Sequence, residues 1–128
     1  MSEHDLTSRS AKSWKVSAHH GAGEWLAERF TSLALIPLTA WAVYAAWQMI
    51  GGGYDAAVAF VKMPLHMGLI ALTVLIGAWH MYMGLKVIID DYIGRPGTRG
   101  FLIFLVFLLS ALVVLATAGG LYLVYRGA

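Results

Sequence analysis

The chain has 128 residues, of which 59% are hydrophobic and only 12% are charged, where an ordinary soluble domain carries about 25% charge. That balance excludes a disordered chain and argues against a water-soluble globule. A net charge of +2 without a dense basic patch excludes an electrostatic nucleic-acid binder, and the absence of cysteine leaves any metal to His, carboxylates or Met.

Residues 1–23 are polar and serine-rich and read as a retained N-terminal tail, partly disordered unless a partner orders it. Glu3, Asp5, Glu24 and Glu28, with no early apolar stretch, fit neither a secretory signal nor a transit peptide. Residues 24–128 then read as one membrane domain, because charge is absent over 30–50, 63–78 and 101–125. Each block fits a helix of about 20 apolar residues crossing a bilayer, so the expected spans run over about 28–50, 63–89 and 101–125. Trp25 is placed as an interfacial anchor of the first span, and Pro37 within it is expected to kink it. Gly51-Gly52-Gly53 ends that helix, and residues 54–62 suit a short interfacial helix. Pro64 suits the first turn of the second span, which stops at Asp90-Asp91-Tyr92, and Gly94-Arg95-Pro96-Gly97 reads as a turn.

Lysine and arginine set the orientation. Arg9, Lys12, Lys15, Arg29, Lys86, Arg95 and Arg99 fall on one side against Lys62 and Arg126 on the other. The positive-inside rule therefore places the N-terminus in the cytoplasm. The fold class is an all-α membrane protein of three transmembrane helices.

An ionisable group inside a span is costly and so is a functional hypothesis by default. His80, near the middle of the second span, is one. Two roles fit it: axial ligation of haem iron, or a hydrogen bond to a neighbouring helix. At about 100° per residue, Gly77, Gly84, Val87 and Asp91 lie within about 60° of it. The glycines would admit a flat macrocycle or a partner helix. Asp91 stands about 16 Å further along the axis and nearly in line, beside Tyr92. A phenol and a carboxylate at that rim suit hydrogen bonding to a quinone carbonyl, but they also make an unremarkable helix end. Two acids at a helix C-terminus oppose the macrodipole and call for a cation such as Arg95 or Lys86.

His66 is read as structural or interfacial, since no second span carries a matching His pair. His4, His19 and His20 show no metal-site spacing. Arg29 is either a snorkelling anchor or a counter-charge for an anionic group, and Thr31 and Ser32 either reach a ligand or bond back to their own helix. Hydrolytic and nucleotide chemistry find no motif: there is no phosphate loop, nucleophile elbow or HExxH.

The segment from His80 through Gly84 to Asp91-Tyr92 resembles the hydrophobic membrane anchor subunit of succinate dehydrogenase, the SdhD family. That pattern has a His, a Gly four residues later, and Asp-Tyr at eleven and twelve. The stretch from Glu24-Trp25 through Arg29-Phe30-Thr31-Ser32 to Leu35 is similar to the family's first-span opening. The resemblance extends over roughly residues 18–125.

It implies that His80 is an axial ligand of a b-type haem whose second ligand comes from a partner anchor subunit, SdhC. It implies that Tyr92, supported by Asp91, lines a ubiquinone site, and that Arg29 holds a haem propionate or the quinone pocket. Flavoprotein and iron–sulfur subunits would dock on the cytoplasmic face and deliver electrons from succinate. The chain would be non-catalytic alone, in a bacterial inner membrane. The alternatives are a haem-free anchor of a fumarate reductase-like complex, or a small structural or assembly membrane protein. A proton relay is disfavoured by the single deep ionisable group.

Overall fold

The computed structural model describes the backbone of residues 3–127 and the side chains of residues 21–127. The expectations placed on the tail over residues 1–20, including His4, His19 and His20, lie outside the described side chains. Three helices follow in chain order: α1 (Glu3–Lys62), α2 (Pro64–Tyr92) and α3 (Pro96–Arg126). Among the described residues there are no strands. All three helices are long and apolar enough to cross a membrane.

Within α1 the only non-helical dihedrals are at Gly53, with φ 74° and ψ −175°. That region is open to glycine and closed to residues with a Cβ. Gly52 has a different reason to be glycine: a Cβ there would stand 2.5 Å from the Cβ of Ala56. The triplet thus divides α1 into a long arm and a short terminal helix ending at Lys62. Pro37 lies inside the long arm, and helical dihedrals continue through it. Its ring removes one N–H donor, but its fixed φ is itself helical.

The short helix turns back on the long arm. Tyr44 and Phe60 approach to 6.4 Å between ring centroids. His66, in the first turn of α2, stacks on Phe60 at 3.8 Å and 20° and lies 6.2 Å from Trp41. The Nδ1–H of His66 donates to the Phe60 carbonyl at 2.9 Å. A carbonyl only accepts, so this bond fixes the tautomer. His66 thereby closes the bend that Met63 makes between the short helix and α2, as the structural reading expected.

Pro64 and Pro96 each occupy the first turn of their helix, where a missing N–H is not missed. The expected turn at Gly94–Gly97 is shorter than read: only residues 93–95 leave the helix, because Pro96 starts α3 rather than ending a loop. At the far end α3 stops at Gly127, which takes a left-handed φ of 89°.

Facing pairs give the packing. Glu24, Thr31 and Trp41 on α1 meet Lys86, His80 and His66 on α2, so the two helices run antiparallel. Asp90 and Tyr82 on α2 meet Arg99 and Phe107 on α3, so the second pair is antiparallel too. α2 is the central helix, and α1 touches α3 only slightly. The buried residues are few and mostly small: Leu38, Ala45, Ala78, Met83 and Ser110. Large apolar side chains point outward, with Trp47 79% and Ile50 83% exposed. A surface of this kind is stable when lipid or another apolar helix covers it.

Replacing Gly53 by alanine forces a Cβ into glycine-only dihedrals. The expected cost is about 1–3 kcal/mol, seen as a lower denaturation temperature of the detergent-solubilised protein, whereas Gly51→Ala, which meets nothing within 4 Å, changes it little.

Candidate functional site

His80 faces α1. Its Nδ1 lies 2.8 Å from Thr31 Oγ1. Thr31 Oγ1 is also 2.8 Å from the Ala27 carbonyl and 3.0 Å from the Glu28 carbonyl. The Glu28 carbonyl already receives the Ser32 hydroxyl at 2.7 Å. Thr31 has one proton, and carbonyls only accept. Two proton placements satisfy these distances: with the Thr31 proton on the Ala27 carbonyl, the imidazole Nδ1–H donates to the threonine oxygen and Nε2 carries a lone pair; with the Thr31 proton on Nδ1, Nε2 carries the N–H. In both, Nε2 has no hydrogen-bond partner among the described residues. Thr31 bonds back to its own helix, and the same oxygen also meets His80 on α2, a contact that neither reading of Thr31 included. Ser32 bonds back only.

The glycines read as neighbours of His80 leave open space. A Cβ on Gly77 or Gly84 would meet nothing within 4 Å. They are therefore not the close-packing points of this three-helix unit, and the ground beside His80 is free for a flat group or a further helix.

The residues present suit haem iron on one side only. A neutral imidazole with an engaged Nδ1–H and a bare Nε2 is the donor that such iron takes. Among the described residues no second imidazole is at hand: His66 is about 21 Å away along the axis and is committed to Phe60. Among the described residues no group of three His, Cys, Asp or Glu could hold a metal ion, and iron held by a macrocycle needs no such group.

The other expected residues stand apart from His80. Arg29 is exposed, with its guanidinium carbon 5.3 Å from the centroid of the Trp25 ring. No carboxylate lies within ion-pair distance of it among the described residues. Tyr92 is 82% exposed at the last position of α2, and Asp91 beside it is also exposed. The cation expected for the acidic pair is present, but Asp90 takes it. Asp90 accepts from Lys86 at 3.2 Å and lies 3.9 Å from Arg99, while Lys86 also reaches Glu24 at 3.2 Å. This chain of charges ties all three helices together at one end. The Lys86–Asp90 spacing was legible as a helical neighbour pair, but Glu24 and Arg99 gave no such signal.

Two clefts flank this arrangement. One of about 540 Å³ opens between α2 and α3, with Trp79, Tyr82, Phe107 and Leu115 in its wall. Ser110 also lines it, and its buried hydroxyl has no partner among the described residues. A smaller one of about 240 Å³ lies at the charged end, lined by Glu24, Glu28, Tyr82 and Lys86 among others. His80 lines neither.

Three apolar helices, a deep imidazole and a charged rim define a multi-pass membrane protein. The family model of the succinate dehydrogenase/fumarate reductase transmembrane subunit matches residues 4–117. A succinate dehydrogenase hydrophobic membrane anchor subunit from Rickettsia typhi is 30% identical over 111 residues, covering 87% of this chain and 86% of that protein. The protein of the same name from Rickettsia bellii is 28% identical, covering 87% of each chain. That from Paracoccus denitrificans is 31% identical over 94 residues, covering 73% of this chain and 72% of its own. No solved structure matched. The chain belongs to the succinate dehydrogenase/fumarate reductase transmembrane subunit family.

Changing His66 to Phe keeps the ring stack on Phe60 but removes the hydrogen bond to its carbonyl. The expected loss is about 1 kcal/mol, measured as a lower thermal midpoint in detergent, with no change at His80.

Proposed function

We propose that this chain is the membrane anchor subunit of a succinate:quinone oxidoreductase and that His80 supplies one axial ligand to a b-type haem. The observation that carries the ligand reading is the His80 imidazole itself. Its Nδ1 is held against Thr31, its Nε2 has no hydrogen-bond partner among the described residues, and it lies between two glycines with open space above them. When bound, haem would supply a one-electron redox centre beside the route to quinone. On this reading the second ligand comes from the partner anchor subunit, since the described residues offer no other imidazole within reach. The family assignment and the relatives' names support the anchor role.

The charged end of the bundle faces the cytoplasm on this reading. It gathers Arg29, Lys86, Arg95 and Arg99, and it is where the flavoprotein and iron–sulfur subunits dock. Tyr92 and Asp91 project from the last turn of α2 at that rim, unpaired among the described residues. The Tyr92 phenol donates to a ubiquinone carbonyl, with the Asp91 carboxylate beside it at the same rim. Arg29 has only its contact with Trp25 to leave, so it is available to a haem propionate or the quinone pocket. On this reading succinate, flavin and iron–sulfur clusters belong to the other subunits. The membrane is the inner membrane of a bacterium.

Two measurements check this reading. In the purified complex, His80→Ala is expected to abolish or broaden the b-type signal in the reduced-minus-oxidised spectrum while the chain still inserts; an unchanged bis-histidine spectrum would remove His80 as ligand. Tyr92→Phe is expected to lower quinone reduction by about tenfold or more, within the usual range for a proton donor. Succinate oxidation by a soluble dye should stay near normal; equal loss in both assays would take Tyr92 out of the quinone site.

A further inference from the structure

We infer that Thr31 is a positioning residue for the proposed haem ligand: its hydroxyl oxygen fixes the tautomer and ring orientation of His80 and raises the donor strength of Nε2. The inference rests on the ligand reading above and adds a residue that the site did not yet contain. Thr31 and His80 are 49 residues apart in sequence and 2.8 Å apart in space.

The argument is one of proton accounting. The ligand reading leaves Nε2 free for iron and so puts the imidazole proton on Nδ1; Thr31 then gives its own hydroxyl proton to the Ala27 carbonyl, 2.8 Å away, and that donation enriches the oxygen as an acceptor. The oxygen then accepts the Nδ1–H of His80. Ring rotation about the Cβ–Cγ bond would break this contact, so the imidazole plane is fixed relative to α1. An acceptor on Nδ1–H pushes electron density toward Nε2, as the carboxylate or carbonyl partners of metal-bound histidines do. A more basic axial ligand favours the ferric state and lowers the midpoint potential. The anchoring of Thr31 is itself rigid, because the bond to Ala27 lies within one turn of α1. α1 therefore contributes to the iron site without touching the iron.

The test uses the assembled complex purified with Thr31→Val, Thr31→Ala and Thr31→Ser, together with His80→Ala. Valine keeps the shape of threonine and removes the acceptor. Alanine removes the same atom and leaves room instead of strain, so it carries the test if valine packs badly. The readouts are the haem midpoint potential, the g-values of the ferric low-spin haem, and haem retention against an apo-haem acceptor protein. Valine and alanine are expected to raise the potential, shift the g-values and weaken haem binding by about tenfold. Serine is expected to match the parent. Wild-type potential, g-values and retention in both valine and alanine overturn the inference, provided that His80→Ala still loses the b-type spectrum. A serine variant that shifts as far as valine overturns it as well, because then the methyl group and not the hydroxyl matters. If His80→Ala keeps its spectrum, the ligand reading falls first and the role of Thr31 falls with it.

Discussion

A helix in hydrocarbon has no water to satisfy its polar atoms, and that constraint shows in four of the hydroxyls and both imidazoles of the membrane-spanning region. Thr31, Ser32, Thr73 and Thr117 each donate to a carbonyl one turn back. His66 donates to the Phe60 carbonyl. Against that background the buried hydroxyl of Ser110 lacks a partner among the described residues, and the Nε2 of His80 has no hydrogen-bond partner there either. A bare acceptor in such a medium costs about 1–3 kcal/mol. At His80 open ground lies beside the flanking glycines, which is why the imidazole and not one of the hydroxyls anchors the functional reading.

The same constraint divides the bundle into two ends of different character. At one end Glu24, Lys86, Asp90 and Arg99 form a chain of ion pairs across all three helices. These pairs are exposed, and each contributes little to stability. Their value is in register, because α2 can slide on neither neighbour without separating a charge from its partner. At the other end the fastening is aromatic, with Trp41, Tyr44, Phe60 and His66 closing the short helix onto the long arm. His80 and Thr31 sit between the two fastenings, so their contact is held from both sides.

Much of this architecture was legible in the sequence because hydropathy and glycine act locally. The three charge-free blocks fall within α1, α2 and α3, and the glycine triplet marks the bend, with Gly53 carrying it through its dihedrals. Pro96 misled for an equally local reason: proline both ends and begins helices, and only the neighbouring backbone decides which. The candidate site was half legible. The face of α2 that holds His80, Gly77 and Gly84 follows from helical geometry alone. Thr31 could be named as a residue with two possible uses, but its meeting with His80 depends on the antiparallel register of α1 and α2, which no pattern within either helix encodes. Asp90 rather than Asp91 takes the cations for the same reason, since Arg99 arrives from α3.

What the fold leaves unfilled bears on how the chain works. Among the described residues, four of the five buried ones are apolar and modest in size, while tryptophans, phenylalanines and isoleucines cover the outside. Lipid can cover an apolar side chain but cannot complete the coordination of iron, and a six-coordinate haem takes two axial donors. With His66 committed to the bend, one donor is all that the described chain provides. On the proposed reading, the group that needs the second donor also fastens this bundle to the subunit that supplies it. The glycine-flanked ground beside His80 then lies at the joint between two chains. The Thr31–His80 bond belongs to the half that this chain prepares in advance: it orients one imidazole, so that assembly has only to bring the other.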